Sequence, residues 1–121
     1  MKKTVVIVED ESSIAEAERL ILEEEYIVHV ARDGDEGLKK IAHVKPDVVI
    51  LDWMLPKKNG IDVCKEIRSN KLLKHTRVVM VTAKNSDKDE IQGMNIGADD
   101  YIMKPFEPLE LLHVTRQVLL K

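Results

Sequence analysis

Glu9-Asp10-Glu11 follows the run TVVIV, Asp52 follows DVVIL, Thr82 follows RVVMV and Lys104 follows DYIM. Each of these polar positions stands at the carboxyl end of a short β-branched stretch. If Glu9, Asp10 and Asp52 converge, their charges repel, and a hard divalent cation bound through oxygen relieves the repulsion; Mg²⁺ suits such a set. A carboxylate directly after a buried strand, as Asp52 is, can act as a nucleophile and form an aspartyl-phosphate. Lys104 offers a point charge to a carboxylate or a phosphoryl oxygen, and Thr82 a hydroxyl donor. Cation, nucleophile, hydroxyl and lysine are the parts of phosphoryl transfer, where positioning and electrostatics supply most of the catalysis. Singly each residue has an ordinary reading. An acidic pair favours the start of a following helix, a threonine after a strand caps, and a lysine before proline is solvated. Their recurrence at successive strand ends makes the set specific.

The elements that must position them alternate between two periods. Strands are predicted over 4–8, 26–31, 47–51, 77–81 and 100–103, the first, third and fourth as nearly continuous apolar runs of the kind buried on both faces of a parallel sheet. Helices are predicted between and after them, over 12–24, 35–43, 61–69, from 85 to near 97, and 109–120. Ser12 or Ser13 is expected to cap the first in a capping box with Glu16, and Ile14, Ala17, Ile21 and Leu22 to form its apolar face. Asp33-Gly34 and Asn59-Gly60 mark turns, Pro46 stops the second helix, and Asn85-Ser86-Asp87 caps the fourth. The pattern is βα repeated five times. It predicts an α/β fold, a doubly wound, flavodoxin-like (βα)5 parallel sheet of order 2-1-3-4-5. Sites in such a sheet lie at the carboxyl ends of the strands.

Length and composition narrow the class. A chain of 121 residues, 44% hydrophobic, is expected to be a single domain over 1–121 with one core of Val, Ile and Leu. The balance of 19 basic against 22 acidic residues, a net charge of −3, speaks against direct nucleic-acid binding. A single cysteine, Cys64, excludes a disulfide framework or a cysteine zinc site. Only TVVIV separates the first lysines from Glu9, too short for a signal peptide, and no run approaches the ~20 apolar residues of a membrane span. The expected location is cytoplasmic. His29, His43, His75 and His113 lie in separate segments without ligand spacing.

The segments VVIVEDE (5–11), VVILDWMLPKKNGID (48–62), VVMVTAK (78–84) and GADDYIMKPF (97–106), with Pro56 and Gly60 at the usual offsets after Asp52, resemble the receiver domain of two-component response regulators over essentially the whole chain. The resemblance implies that Asp52 is the phospho-acceptor and that Asp10 and Asp52 ligate Mg²⁺, or Mn²⁺ in its place. The backbone carbonyl of Met54 completes the protein's ligands, and Glu9 acts through water. Lys104 pairs with Asp52 and then with the phosphoryl group. Thr82 is the switch hydroxyl, Tyr101 the switch aromatic, and Pro105 the site of a cis peptide. Met54 and Lys84 occupy the slots that tune phosphoryl lifetime. An apolar Met beside a Lys able to cover the phosphoryl group implies slow self-dephosphorylation. Glu9 replaces the commoner aspartate of the acidic pair.

On this reading a sensor histidine kinase or a phosphotransfer protein donates the phosphoryl group. About −1.5 to −2 charges at Asp52 then draw in Thr82 and Lys104, and Tyr101 turns inward. The face built from the fourth predicted helix, the fifth strand and the last helix changes and controls a partner or output domain. The protein is expected not to be a turnover enzyme; it catalyses only its own aspartyl phosphorylation and dephosphorylation. Winged-helix regulators dimerise through that face. Lys88, Asp99, Asp100, Glu107 and Arg116 could join such a homodimer, whereas Glu90, Gln92 and Val114 depart from its pattern. Leu109, Leu112, Val114, Leu119 and Leu120 exceed one buried stripe on the last helix, and an exposed part would mark a partner surface. Lys57-Lys58 is a candidate kinase contact, and Trp53 is expected at the mouth of the site, where its fluorescence would report Mg²⁺. The chain ends just after the last helix, which fits a single-domain regulator and a receiver cut from a longer protein equally. The alternatives are a phosphorylation-independent pseudo-receiver and a phosphatase. A dehalogenase-like phosphatase has a second Asp where this chain has Met54. A flavin module would need a phosphate loop where Glu9-Asp10-Glu11 stands, and no GxGxxG or GxxxxGK[ST] loop occurs.

Overall fold

In the computed structural model, residues 2–83, 89–90 and 95–120 are described. Five strands, β1 (Thr4–Val8), β2 (Ile27–Ala31), β3 (Val48–Asp52), β4 (Arg77–Thr82) and β5 (Asp100–Met103), form one sheet in the order β2-β1-β3-β4-β5. Every neighbouring pair is parallel. Four helices are described, α1 (Ser12–Leu22), α2 (Gly34–Val44), α3 (Gly60–Ser69) and α4 (Pro108–Leu119), with a 3₁₀ turn at Lys71–Leu73. The doubly wound sheet expected from the alternating periods is present, with boundaries moved by one or two residues. Most of the helix expected from 85 to near 97 lies outside the described residues, with Lys84, Lys88 and Gln92; residues 89–90 are described and helical.

Strand alternation sorts the core into two layers. Val5, Ile7, Val48, Ile50, Val79, Val81 and Ile102 point to one side of the sheet, where Leu22, Leu111 and Val118 of α1 and α4 meet them. Val6, Val8, Val49, Leu51, Val78 and Met80 point to the other side, toward Ile41, Val63, Cys64 and Ile67 of α2 and α3. Central strands covered on both faces explain the unbroken apolar runs: Val48 to Asp52 are all buried.

The helix starts differ in how they are capped. Asp33 Oδ1 accepts from Glu36 N at 2.8 Å, and Asn59 Oδ1 accepts from Asp62 N at 3.0 Å. The first helix departs from expectation. Glu11 occupies its N-cap position and makes no side-chain cap bond, so the capping box with Ser12 or Ser13 does not form. Its inward stripe is Ala15, Glu18 and Leu22; Ile14 and Ile21 are half-buried and Ala17 is exposed. The helix is thus rotated from the expected face, because a glutamate occupies a core position.

Candidate functional site

Continuing the alternation past each strand end places Glu9, Asp52 and Lys104 on the α1/α4 side of the sheet, all at its carboxyl edge. A cleft of about 640 Å³ opens there, lined by Glu9, Asp10, Glu11, Ser12, Asp52, Met54, Ala83 and Lys104. One ligand oxygen from each of Glu9, Asp10 and Asp52 lies within 4.8 Å of the others. Glu9 and Asp52 are buried and Asp10 is exposed. Lys104 Nζ bridges the two buried acids, 2.9 Å from Glu9 Oε1 and 3.3 Å from Asp52 Oδ2.

Backbone amides fix the carboxylates. Glu11 N donates to Glu9 Oε2 at 3.1 Å, and Met54 N donates to Asp52 Oδ1 at 3.3 Å. Trp53 N donates to Val81 O at 2.9 Å and Gly60 N to Trp53 O at 3.0 Å, which ties the loop after Asp52 to β4 and to the start of α3. Only glycine permits that closeness. A Cβ at position 60 would stand 2.3 Å from Asp52 O and 3.0 Å from Trp53 Cα. Lys104 N donates to Thr82 O at 2.6 Å, and the Lys104–Pro105 peptide is cis. The β1–α1 loop is held by Arg32, whose Nε donates to Glu9 O and whose Nη2 donates to Asp10 O, both at 3.1 Å; Nη2 also bonds Ser12 Oγ. Sequence reading passed over Arg32; its place just after β2, the neighbour of β1, is the signal that could have found it.

Among the described residues the site is short of positive charge. Burial pushes the Glu9 carboxyl up to about 7; the Lys104 ammonium opposes this and the Asp52 charge adds to it. Burial works against the Lys104 charge, but Glu9 and Asp52 outweigh it and hold the ammonium above its usual value. Two buried carboxylates share Lys104 and a third stands at the rim, all hard oxygen donors on an open cleft. That donor set fits a divalent cation such as Mg²⁺.

Thr82 and Tyr101 sit elsewhere. Alternation puts both on the α2/α3 side, where half-buried Tyr101 packs against that core cluster. The Thr82 hydroxyl is fully buried with no hydrogen-bond partner among the described residues. Trp53 is not at the mouth of the cleft. It is half-buried and packs on the same α2/α3 cluster, while Met54, 67% exposed, lines the cleft. Of the side chains expected to join a dimer array, Asp99 accepts from Val78 N at 2.7 Å and pairs with Arg68 and Arg77, and Arg116 pairs with Glu25. Both are committed within the chain. Leu109 and Leu120 of the last helix region are exposed, at 76% and 79%. Cys64 is buried with its thiol pushed up to about 11, chiefly by burial, and is unreactive as a nucleophile.

A sequence model of the response regulator receiver domain matches residues 5–116. The chain belongs to the response regulator receiver domain family. Among similar proteins, the alkaline phosphatase synthesis transcriptional regulatory protein PhoP of Bacillus subtilis is 46% identical over 112 residues, covering 92% of this chain and 46% of that protein. The DNA-binding response regulator MtrA of Mycobacterium tuberculosis is 42% identical over 113 residues, 93% of this chain and 48% of that one. The receiver domain thus spans about half the length of these relatives. Among solved structures, chemotaxis response regulator CheY4 of Vibrio cholerae matches with a TM-score of 0.90 at 31% identity, covering 98% of this chain and 99% of that one. A CheY-like receiver domain protein from Methanospirillum hungatei matches with a TM-score of 0.87 at 33% identity, covering 98% and 94%. The chain is a receiver domain of two-component systems, and its family implies a histidine kinase partner. No helix among the described residues is long and apolar enough to cross a membrane.

Proposed function

We propose that Asp52 accepts a phosphoryl group from a histidine kinase or phosphotransfer protein in a Mg²⁺-dependent reaction. The observation that carries this reading is the convergence of Glu9, Asp10 and Asp52 on one cleft, with Lys104 Nζ between the two buried acids. An Asp52 carboxylate oxygen forms the new P–O bond as the P–N bond of a donor phosphohistidine breaks, and the nitrogen left behind takes a proton from solvent. Asp10, Asp52 and the Met54 carbonyl would hold the ion, with Glu9 reaching it through water. When bound, the ion offsets charge on the transferring phosphoryl oxygens. Lys104 leaves its bridge for a phosphoryl oxygen. The unpartnered Thr82 hydroxyl gains an acceptor, and Tyr101, on the same side of the sheet, follows it.

The domain is a switch and not a turnover enzyme, and its place is the cytoplasm. Its output is a partner or a linked domain. The relatives' names describe transcriptional regulators, which favours control of a DNA-binding unit over nucleic-acid binding by this acidic domain itself. Met54 on the cleft wall supports slow loss of the phosphoryl group, with Lys84 as its companion outside the described residues. Incubation with Mg²⁺ and acetyl phosphate, followed by intact mass and elution volume, tests the reading. One phosphoryl adduct, absent in Asp52→Asn, is expected. A shift to dimer points to a transcription-factor receiver, and a monomer to a relay. No adduct from acetyl phosphate or phosphoramidate would turn the reading to a pseudo-receiver that binds partners without phosphorylation.

A further inference from the structure

One short turn between β2 and α2 touches both loops of the cleft, although none of its residues belongs to the acidic set. On one side, Ala31 O accepts from Glu9 N at 3.0 Å, and Arg32 donates to Glu9 O and Asp10 O, both at 3.1 Å, and to Ser12 Oγ. The Arg32 amide in turn donates to Glu36 Oε1 at 2.5 Å, which anchors it to α2. Its guanidinium takes carbonyl and hydroxyl oxygens and, among the described residues, pairs with none of the three carboxylates. It therefore holds the Glu9-Asp10 loop without competing with an ion for the carboxylate oxygens. On the other side the contacts reach the loop after Asp52. Asp33 Oδ1 caps α2, while its Oδ2 stands 3.5 Å from Lys57 Nζ. Gly34 N donates to Pro56 O at 3.4 Å, and a Cβ on Gly34 would fall 1.9 Å from Lys58 O. That loop meets Gly34 in a tight turn, with Lys58 N donating to Pro56 O at 2.8 Å and Lys57 at φ 68°. Arg32, Asp33 and Gly34 are consecutive, so a shift of one loop against the other strains this turn.

We propose that the turn Arg32-Asp33-Gly34 determines which divalent cation the cleft prefers, with Arg32 a positioning residue that keeps the Glu9-Asp10 loop at a fixed separation from the loop after Asp52. This deepens the reading of the cleft as a Mg²⁺ site and rests on it. Mg²⁺ takes oxygen donors at about 2.0–2.1 Å with little tolerance, whereas Ca²⁺ accepts about 2.3–2.6 Å in varied arrangements. Donors held at a fixed spacing favour the small, strict ion, and donors free to drift favour the larger one. Residues that fix the ligands in this way act on affinity without touching the ion. Charge alone predicts the opposite for Arg32: removing a cation beside an acidic site strengthens the binding of either ion. The two effects differ in sign, which makes them separable.

The test is calorimetric titration of Mg²⁺ and of Ca²⁺ into the wild-type protein, Arg32→Ala and Arg32→Lys. The wild-type protein is expected to prefer Mg²⁺. Arg32→Ala should bind Mg²⁺ about tenfold more weakly and Ca²⁺ almost as before, so the preference shrinks. Arg32→Lys restores the charge but not the planar fork, and should behave as Arg32→Ala does. Arg32 is exposed, so its truncation opens no cavity. Should Arg32→Ala nonetheless fail to fold, Asp33→Asn, which keeps the cap on α2 and drops the pair with Lys57, should lower the same ratio. In the metal-free protein the Glu11 amide, bonded to Glu9 Oε2, should exchange its hydrogen faster in Arg32→Ala than in the wild type. A wild-type preference for Ca²⁺, equal losses for the two ions, tighter Mg²⁺ binding, recovery in Arg32→Lys or an unchanged Glu11 amide overturns the proposal and leaves the Mg²⁺ reading standing wherever the wild type binds Mg²⁺. A wild-type protein that binds neither ion overturns that reading and the proposal with it.

Discussion

Replacing Glu18 by Gln removes a titrating group while keeping the shape of the side chain, and its effect on stability should depend on pH. In the folded chain Glu18 is pushed up to about 8, first by burial and then by the charge of Glu9, from an ordinary value of 4.5. A raised carboxyl value means that the folded state holds a proton that the unfolded state has already released. Stability is therefore unaffected below the unfolded value and is lost as pH rises from there to the folded value, at about 1.4 kcal/mol per pH unit. Between about pH 5.5 and about pH 7.5 the loss from this one group comes to about 2.5 kcal/mol. Glu9, raised to about 7, adds a loss of the same sign, but it is present in both proteins. Near pH 5.5 Glu18 is still neutral in the folded chain but ionised in the unfolded one, so the variant should already be the more stable by about 1.4 kcal/mol. By pH 7.5 that lead should have grown by about 2.5 kcal/mol. With a urea slope of about 1–3 kcal/mol/M, the gap between the two midpoints should widen by roughly 1–2 M between these pH values. A constant gap between the two proteins at both pH values would refute the reasoning, because it would mean that Glu18 has the same proton occupancy in the folded and unfolded chain.

Gly60→Ala should destabilise the fold by about 1–3 kcal/mol, because the new Cβ would meet Asp52 O at 2.3 Å. Urea unfolding measures this, and a Mg²⁺ titration should show weaker binding as the end of β3 is displaced. Thr82→Val should leave stability unchanged or raise it, since a buried hydroxyl with no partner among the described residues is replaced by its apolar isostere; thermal unfolding checks this, while any change in elution on phosphorylation should be lost. Mg²⁺ affinity should rise between pH 6 and pH 8 as Glu9, at about 7, gives up its proton. Calorimetric titration in that range should show the dependence flattened in Glu9→Gln.

What could be read from the chain differs between strands and helices for a physical reason. β1, β3 and β4 are covered on both faces, so their apolar runs are unbroken and their ends, with Glu9, Asp52 and Thr82, were legible to within a residue. α1 turns a different face inward from the one its sequence suggests, because its apolar period is interrupted where it matters. With Glu18 in the buried stripe, Ala17 and Ile14 looked like the inner face. Trp53 adjoins Asp52, which suggests a place at the cleft, yet neighbouring residues at a strand end point to opposite sides, and Trp53 packs over α2 and α3. Asp99 and Arg116 looked available for a partner because their intramolecular partners, Arg68 and Glu25, are distant in sequence.

The same alternation sets a requirement on the proposed switch. Glu9, Asp52 and Lys104 belong to the α1/α4 side of the sheet, whereas Thr82 and Tyr101 belong to the α2/α3 side. Charge arriving at Asp52 acts first on Lys104, and any response at Tyr101 must pass around the carboxyl edge of the sheet. Two short backbone bonds reach the end of β4 there, Trp53 N to Val81 O at 2.9 Å and Lys104 N to Thr82 O at 2.6 Å. The second joins the lysine beside Asp52 to the residue whose hydroxyl has no partner among the described residues. A pull on the Lys104 side chain and a new acceptor for the Thr82 hydroxyl are then two ends of one displacement across β4 and β5.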